Sequence, residues 1–131
     1  MYIEQLKEMF TEMVVKKNPS LIPHYYHQDF LLYTNEKEMD YQVFLESHHH
    51  LYETLIHYSV EYDEATLIEQ GEKIAGRIWI TVSRPNEPSR KIEVTLIAQF
   101  KDHTIYRLWE PPHPVWSKLP AFESLNSSTT G

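Results

Sequence analysis

The apolar residues of this chain keep helical spacing through its first half and alternate with polar ones through its second. Ile3, Leu6, Phe10, Met13 and Val14 recur at intervals of three and four, with Glu4, Lys7, Glu8, Glu12 and Lys16 on the other side. That is an amphipathic helix with one buried stripe. Asn18 and Pro19 read as N-cap and first residue of a second helix reaching about Tyr26. Pro23 keeps it short or irregular, because proline fits only a first turn. Residues 29–34 read as a short strand and 35–38 as a turn. A third helix, ending near Leu55, starts at Asp40 as cap, with Met39 and Phe44 at the two positions of a hydrophobic staple. Its apolar stripe is Tyr41, Phe44, His48, Leu51 and Leu55.

From Ile56 the period becomes two. Tyr58, Val60 and Tyr62 alternate with His57, Ser59, Glu61 and Asp63, residues 70–72 make a turn, and 73–83 form a long strand. Residues 84–89 hold two prolines and read as a loop. The strongest signal follows at 92–110: Ile92, Val94, Leu96, Ala98 and Phe100 alternate with Glu93, Thr95, Ile97, Gln99 and Lys101. Residues 101–104 turn the chain, and 105–109 run back as a β-rich strand ending on Trp109 and Glu110. Pro111, Pro112 and Pro114 stop it. Helices followed by long antiparallel strands imply an α+β fold with helices on one face of a bent sheet.

Composition narrows the function. A net charge of −7 without a Lys/Arg cluster argues against nucleic acid or an anionic membrane as partner. Cysteine is absent, so no disulfide, thiol nucleophile or thiolate metal site is available. No signal-peptide pattern opens the chain and no apolar run reaches the ~18 residues of a membrane span, so a cytoplasmic location is expected. The 131 residues fit a single domain over 1–123. The polar tail at 124–131 is expected to be flexible. Trp116 and Phe122 are expected to pack back on the domain or on a second subunit.

The order of helix, helix, His27-Gln28-Asp29-Phe30 strand, stapled helix and long meander resembles the nuclear transport factor 2-like superfamily, especially its SnoaL-like branch. The segments IAQFKDHTIYRLWE and EKIAGRIWIT carry the most specific likeness. It extends over about residues 2–110 and implies a cone of helices on a strongly curved, mostly antiparallel sheet. In that family the open end of the cone is often a pocket for an apolar small molecule, and bent sheets commonly pair face to face as dimers. Some members are enzymes, others only bind, so fold does not decide function.

The resemblance places Glu110 where cyclase-like members keep a general acid/base. A carboxylate in an apolar cone has the raised pKa that proton transfer needs. The position fourteen residues earlier, where those enzymes place a polar partner, is Leu96. Family hydrolases set an arginine between two carboxylates, an arrangement that Arg77, Glu93 and Glu110 would supply. The competing reading of Arg77 and Glu93 is an exposed cross-strand pair. His48 lies on the apolar stripe of its helix, as a general base or as a hydrogen-bonded core histidine. His49 and His50 point about 100° and 200° further round, so the three do not converge on a metal, and neither metal nor cofactor is expected. Tyr33, Tyr62, Trp79 and Trp109, with Tyr25, Tyr26 and Tyr58, are candidate pocket lining, and Arg77 and Glu93 candidate ligand contacts.

The reading that joins these features is a small-molecule-binding domain with an apolar, aromatic-lined pocket. If catalytic, it would be a cofactor-independent isomerase, dehydratase or cyclase with Glu110 as acid/base and His48 beside it. The alternative is a non-catalytic homodimeric interaction protein that pairs through its sheet face.

Overall fold

The computed structural model of the chain describes residues 1–34 and 37–110. The first amphipathic segment forms helix α1 (Tyr2–Met9) and widens into a π-helical stretch over Phe10–Val15. Its expected stripe is the buried one: Leu6, Phe10 and Met13 lie in the core beside Tyr2 and Met9. Lys17, at φ 55°, ends the helix in the left-handed region. A 3-10 turn (Pro19–Leu21) leads into the one-turn helix α2 (Ile22–Tyr25), as short and irregular as Pro23 requires. Asn18 makes no side-chain cap; its Oδ1 instead accepts from Ser20 Oγ at 2.5 Å.

Strands β1 (Tyr26–Thr34) and β2 (Lys37–Asp40) precede helix α3 (Tyr41–Tyr52). Then come β3 (His57–Tyr62), β4 (Ile68–Gln70), β5 (Lys73–Ser83), β6 (Arg90–Lys101) and β7 (Thr104–Glu110). They form one curved, open sheet in the order β2-β1-β7-β6-β5-β3, with β4 added to β5. Every pairing is antiparallel except β1 with β7, which is parallel.

Several element boundaries differ from expectation. β1 starts at Tyr26 rather than Asp29, because Tyr26 already pairs with Ile105 of β7. Lys37 and Glu38, expected to be turn, belong with Met39 and Asp40 to an edge strand held by Leu31 to Thr34, and β4 is held by Lys73, Ile74 and Ala75. Both are too short and polar to alternate, so pairing rather than pattern makes them strands. Helix α3 stops at Tyr52, where Thr54 Oγ1 bonds the Leu51 carbonyl at 2.7 Å. Leu55 is therefore 74% exposed and Ile56 takes the buried place.

The N-terminal signal of α3 holds: Asp40 Oδ1 accepts from the Val43 N–H at 3.0 Å. Phe44 then packs against Tyr26 and Phe30, with ring centroids 4.7 and 4.9 Å away. Tyr2 stacks on Phe100 at 4.3 Å and ties α1 to β6. On β6 the alternation is complete, with Ile92, Val94, Leu96, Ala98 and Phe100 buried and Lys91, Glu93, Thr95 and Ile97 exposed. The core thus lies between the helices and one face of the sheet, here the inner face. Gly76, opposite Leu96, is required by contact: a Cβ there would lie 2.5 Å from Leu67 Cδ2 and 3.0 Å from its Cα. No helix among the described residues is long and apolar enough to cross a membrane.

Candidate functional site

Which face Glu110 occupies is decided by an irregularity in β7. Ile105 pairs with Phe100 and Arg107 with Gln99, so Tyr106 is an extra residue without a partner on β6. Such a bulge reverses the alternation beyond it. Ile105 and Leu108 both face the core, three residues apart. Trp109, paired with Ile97, therefore points outward and Glu110 inward, on the face of Leu108.

Burial pushes the Glu110 carboxyl up to about 7, although the residue keeps part of its surface exposed. A carboxylic acid poised there gives or takes a proton near neutrality with little cost. Its inner-face surroundings are apolar and phenolic. Tyr26 is buried, its hydroxyl held well above the usual tyrosine range by burial, then by Tyr52 and Glu110. Among the described residues, that hydroxyl donates to the Met9 sulfur, at 3.5 Å. Burial also raises Tyr52 and Tyr58, whose rings stand edge to face at 6.0 Å. The Tyr58 hydroxyl is buried without a hydrogen-bond partner among the described residues, an orphan donor of the kind native interiors rarely keep. Leu96 is itself buried in the core, so β6 brings no polar partner to Glu110 at that position.

His48 lies on the core side of α3, tilted against Phe44 at 4.0 Å and edge-on to Tyr52 at 5.5 Å. Its Nδ1 is 2.8 Å from the Phe44 carbonyl, which only a protonated nitrogen can satisfy. Burial lowers its pKa to about 4, so the ring is neutral at pH 7 and Nε2 is left as an acceptor. A base that weak takes a proton poorly at neutral pH, and the ring is better suited to orienting a donor.

Of the expected pocket-lining and ligand-contact residues, Tyr33, Arg77, Trp79, Glu93 and Trp109 are placed away from this interior. Tyr33 stacks on Trp109 at 5.8 Å, on the outer face. Arg77, Trp79 and Glu93 share that face: Arg77 donates to Glu93 Oε1 at 2.6 Å and to Asp63 Oδ2 at 2.7 and 3.0 Å, and lies 4.9 Å over Trp79. The arginine is thus held by two carboxylates, but these are Asp63 and Glu93, on the face opposite Glu110. Tyr62 faces inward beneath α1, its hydroxyl bonding the Lys7 carbonyl at 3.4 Å. Tyr52, which the sequence did not single out, enters the interior set; it stands four residues after His48 on the same helical stripe. Trp116 and Phe122, and the boundary at residue 123, lie outside the described residues. Among the described residues no group of three or more His, Asp or Glu side chains is placed to hold a metal ion.

No family model matches the chain, and no curated protein sequence does. Solved structures do match in fold. An epoxide hydrolase of M. tuberculosis described as LEH-like shares 7% identity over 92% of this chain and 88% of its own, with a TM-score of 0.69. IdmH of Streptomyces antibioticus, described as a candidate polyketide cyclase, shares 9% identity over 82% and 88%, with a TM-score of 0.64. A de novo designed NTF2 fold protein, NT-9, shares 14% over 89% and 88%, with a TM-score of 0.59. The architecture is therefore the NTF2-like α+β fold expected from the sequence.

Proposed function

We propose that this NTF2-like domain binds a small, largely apolar molecule on the inner face of its sheet and that Glu110 serves there as acid/base. One observation carries the reading: Glu110 is turned inward by the β7 bulge and its carboxyl titrates near pH 7. The orphan Tyr58 hydroxyl and the His48 Nε2 acceptor offer polar anchors within apolar walls, the composition of a small-molecule site. A carboxyl of this kind suits cofactor-independent proton transfer, as in an isomerisation, dehydration or cyclisation. That the fold hosts a candidate cyclase and an epoxide hydrolase agrees with this chemistry. The test is a thermal-shift screen of polyketide-like metabolites, steroids and epoxides, followed by Glu110→Gln on any saturable ligand. Ligand at 100 times its Kd should stabilise the chain by about 2.7 kcal/mol. Unchanged binding and turnover in Glu110→Gln would remove that residue from the site.

A second reading rests on the outer face. Tyr33, Trp109, Ile97, Ala75 and Ile68 pair rung to rung across five strands. Ile97 and Ile68 are 45% and 63% exposed. A continuous apolar row of this kind favours a homodimer joined face to face, with or without catalysis.

A further inference from the structure

The bulge that turns Glu110 inward is held by side chains outside the chemistry proposed above. Ile105 is matched with Tyr26 of β1 and Phe100 of β6, and Arg107 with Leu31 and Gln99. Between these rungs β1 passes through residues 27–30, while β7 passes through Tyr106 alone. Both neighbouring strands therefore skip Tyr106, and neither Tyr106 nor Asp29 is matched in any register of the described strands. A backbone carbonyl dropped from a ladder needs another donor.

Arg107 supplies it. Its Nη1 donates to the Asp29 carbonyl at 2.7 Å and to the Tyr106 carbonyl at 2.9 Å. One nitrogen thus joins the irregular part of β1 to the irregular part of β7. The guanidinium carbon also lies 3.8 Å from the centre of the Tyr106 ring. Consecutive side chains of a regular strand point to opposite faces. This contact instead puts both residues on the outer face, as the bulge requires. His27 closes the other side. Its ring stands edge-on to Tyr106 at 5.1 Å, and its Nδ1 accepts the Asp29 N–H at 2.9 Å. With Nδ1 as acceptor, the neutral ring carries its proton on Nε2, which lies 3.4 Å from Asp102 Oδ2 in the β6–β7 turn. Tyr106 is therefore caged by Arg107 and His27, with Lys101 Nζ 4.7 Å from its ring centre.

We infer, resting on the acid/base reading of Glu110, that Arg107 is a positioning residue for the site: it holds the Asp29 and Tyr106 carbonyls together, fixes the β7 bulge and so sets the inward facing of Glu110. Arg107 lies on the opposite face of β7, roughly 10 Å along the strand from Glu110 at ~3.3 Å per residue. It acts through the backbone and not by contact.

Carbon-13 NMR titration of the glutamate side-chain carboxyls in the full chain tests this, with Glu110→Gln identifying the Glu110 signal. In the parent that signal should titrate near pH 7. Arg107→Met keeps much of the side-chain stem and removes both donated bonds. The Glu110 midpoint should then fall toward the ordinary 4.5, as the strand end loses its register and water reaches the carboxyl. The direction of the change separates the explanations. Loss of a positive charge alone raises a carboxyl's pKa, and a merely structural loss lowers the melting temperature without moving the midpoint of the folded chain. Arg107→Lys keeps the charge without the planar fork and should give a smaller fall in the same direction, a readout that remains if the methionine variant does not fold. Arg84→Met, the same charge change in the β5–β6 loop, should leave the midpoint in place. A midpoint that stays near 7 or rises in the Arg107 variants, or an equal fall in Arg84→Met, would overturn the positioning role and leave the acid/base reading standing. An ordinary midpoint in the parent would overturn both.

Discussion

Trp109 and Glu110, adjacent in the chain, serve opposite faces of the sheet. Trp109 stacks on Tyr33 outside, and Glu110 turns inward with Leu108. The extra residue Tyr106 sets this arrangement. Without it, strict alternation from the buried Ile105 would send Glu110 outward and Trp109 into the core. The candidate acid and the candidate dimer surface are thus assigned by one bulge.

Glu110 is expected to make the fold less stable as pH rises. Its carboxyl moves from an ordinary 4.5 to about 7 on folding. Between those values the folded chain holds a proton that the unfolded chain has lost, so stability falls with rising pH. The full loss, reached above pH 7, is at most about 3 kcal/mol. Urea midpoints of the chain and of Glu110→Gln near pH 5 and near pH 8 measure it. The variant should gain on the parent as pH rises; a constant gap would mean a hydrated carboxyl.

His48 is expected to act with the opposite sign. Its pKa falls from 6.5 to about 4 on folding. Its stabilising effect is complete above pH 6.5 and is lost as pH drops toward 4, because the unfolded chain takes up the proton first. The size is again at most about 3 kcal/mol. The two slopes oppose each other between pH 4.5 and 6.5, so the parent should look nearly flat there. His48→Asn should uncover a fall in stability with rising pH, and Glu110→Gln a rise. Parallel profiles in the two variants would refute the assignment.

Asp40→Ala should cost about 1 kcal/mol by removing the cap on the Val43 N–H. Asp40→Asn, which keeps an acceptor, should cost much less. Thermal melts separate the two.

Gly76→Ala should destabilise the fold by about 1–3 kcal/mol, because the new Cβ meets both the side chain and the backbone of Leu67. Leu67→Ala in the same chain should recover part of the loss by removing the 2.5 Å contact, but not the one with the Leu67 Cα. Denaturant titration of the double variant reads the recovery.

Ile97→Asp should lower the sedimentation coefficient at micromolar concentration if the outer row joins two copies, since a buried unpaired carboxylate opposes the contact. The melting temperature of the separated subunit should change little, because Ile97 is already 45% exposed. A monomeric parent chain would dismiss the dimer.

The fold was legible where one residue's environment repeats along an element. β6 alternates cleanly because each of its apolar side chains meets the same core, and α3 announces itself through Asp40 and Phe44. What stayed hidden depends on partners distant in the chain. β2 and β4 are strands only because β1 and β5 hold them. Leu55 matched a helical stripe that had already ended. Of the candidate site, the sequence singled out Glu110 as a candidate acid but not its facing, because a bulge leaves no mark on composition. Arg77 and Glu93 were seen as neighbours, while Asp63, the second carboxylate on that arginine, closes an alternating run whose spacing does not tie it to Arg77.

The parallel pairing of β1 with β7 also bears on the order of assembly. β7 is the last described strand to be synthesised, yet it sits between β1 and β6. While the chain is being made, the β1–β2 hairpin has no neighbour on its inner edge, and the β3–β6 meander has an open edge of its own. Only the arrival of residues 104–110 joins the two halves, across a separation of 76 to 79 residues. Non-local closure of this sort is slow and leaves unpaired strand edges exposed in the interval. A nascent chain of this protein is therefore expected to depend on chaperones until β7 is free of the ribosome, and a truncation before Thr104 should yield aggregate rather than a smaller domain.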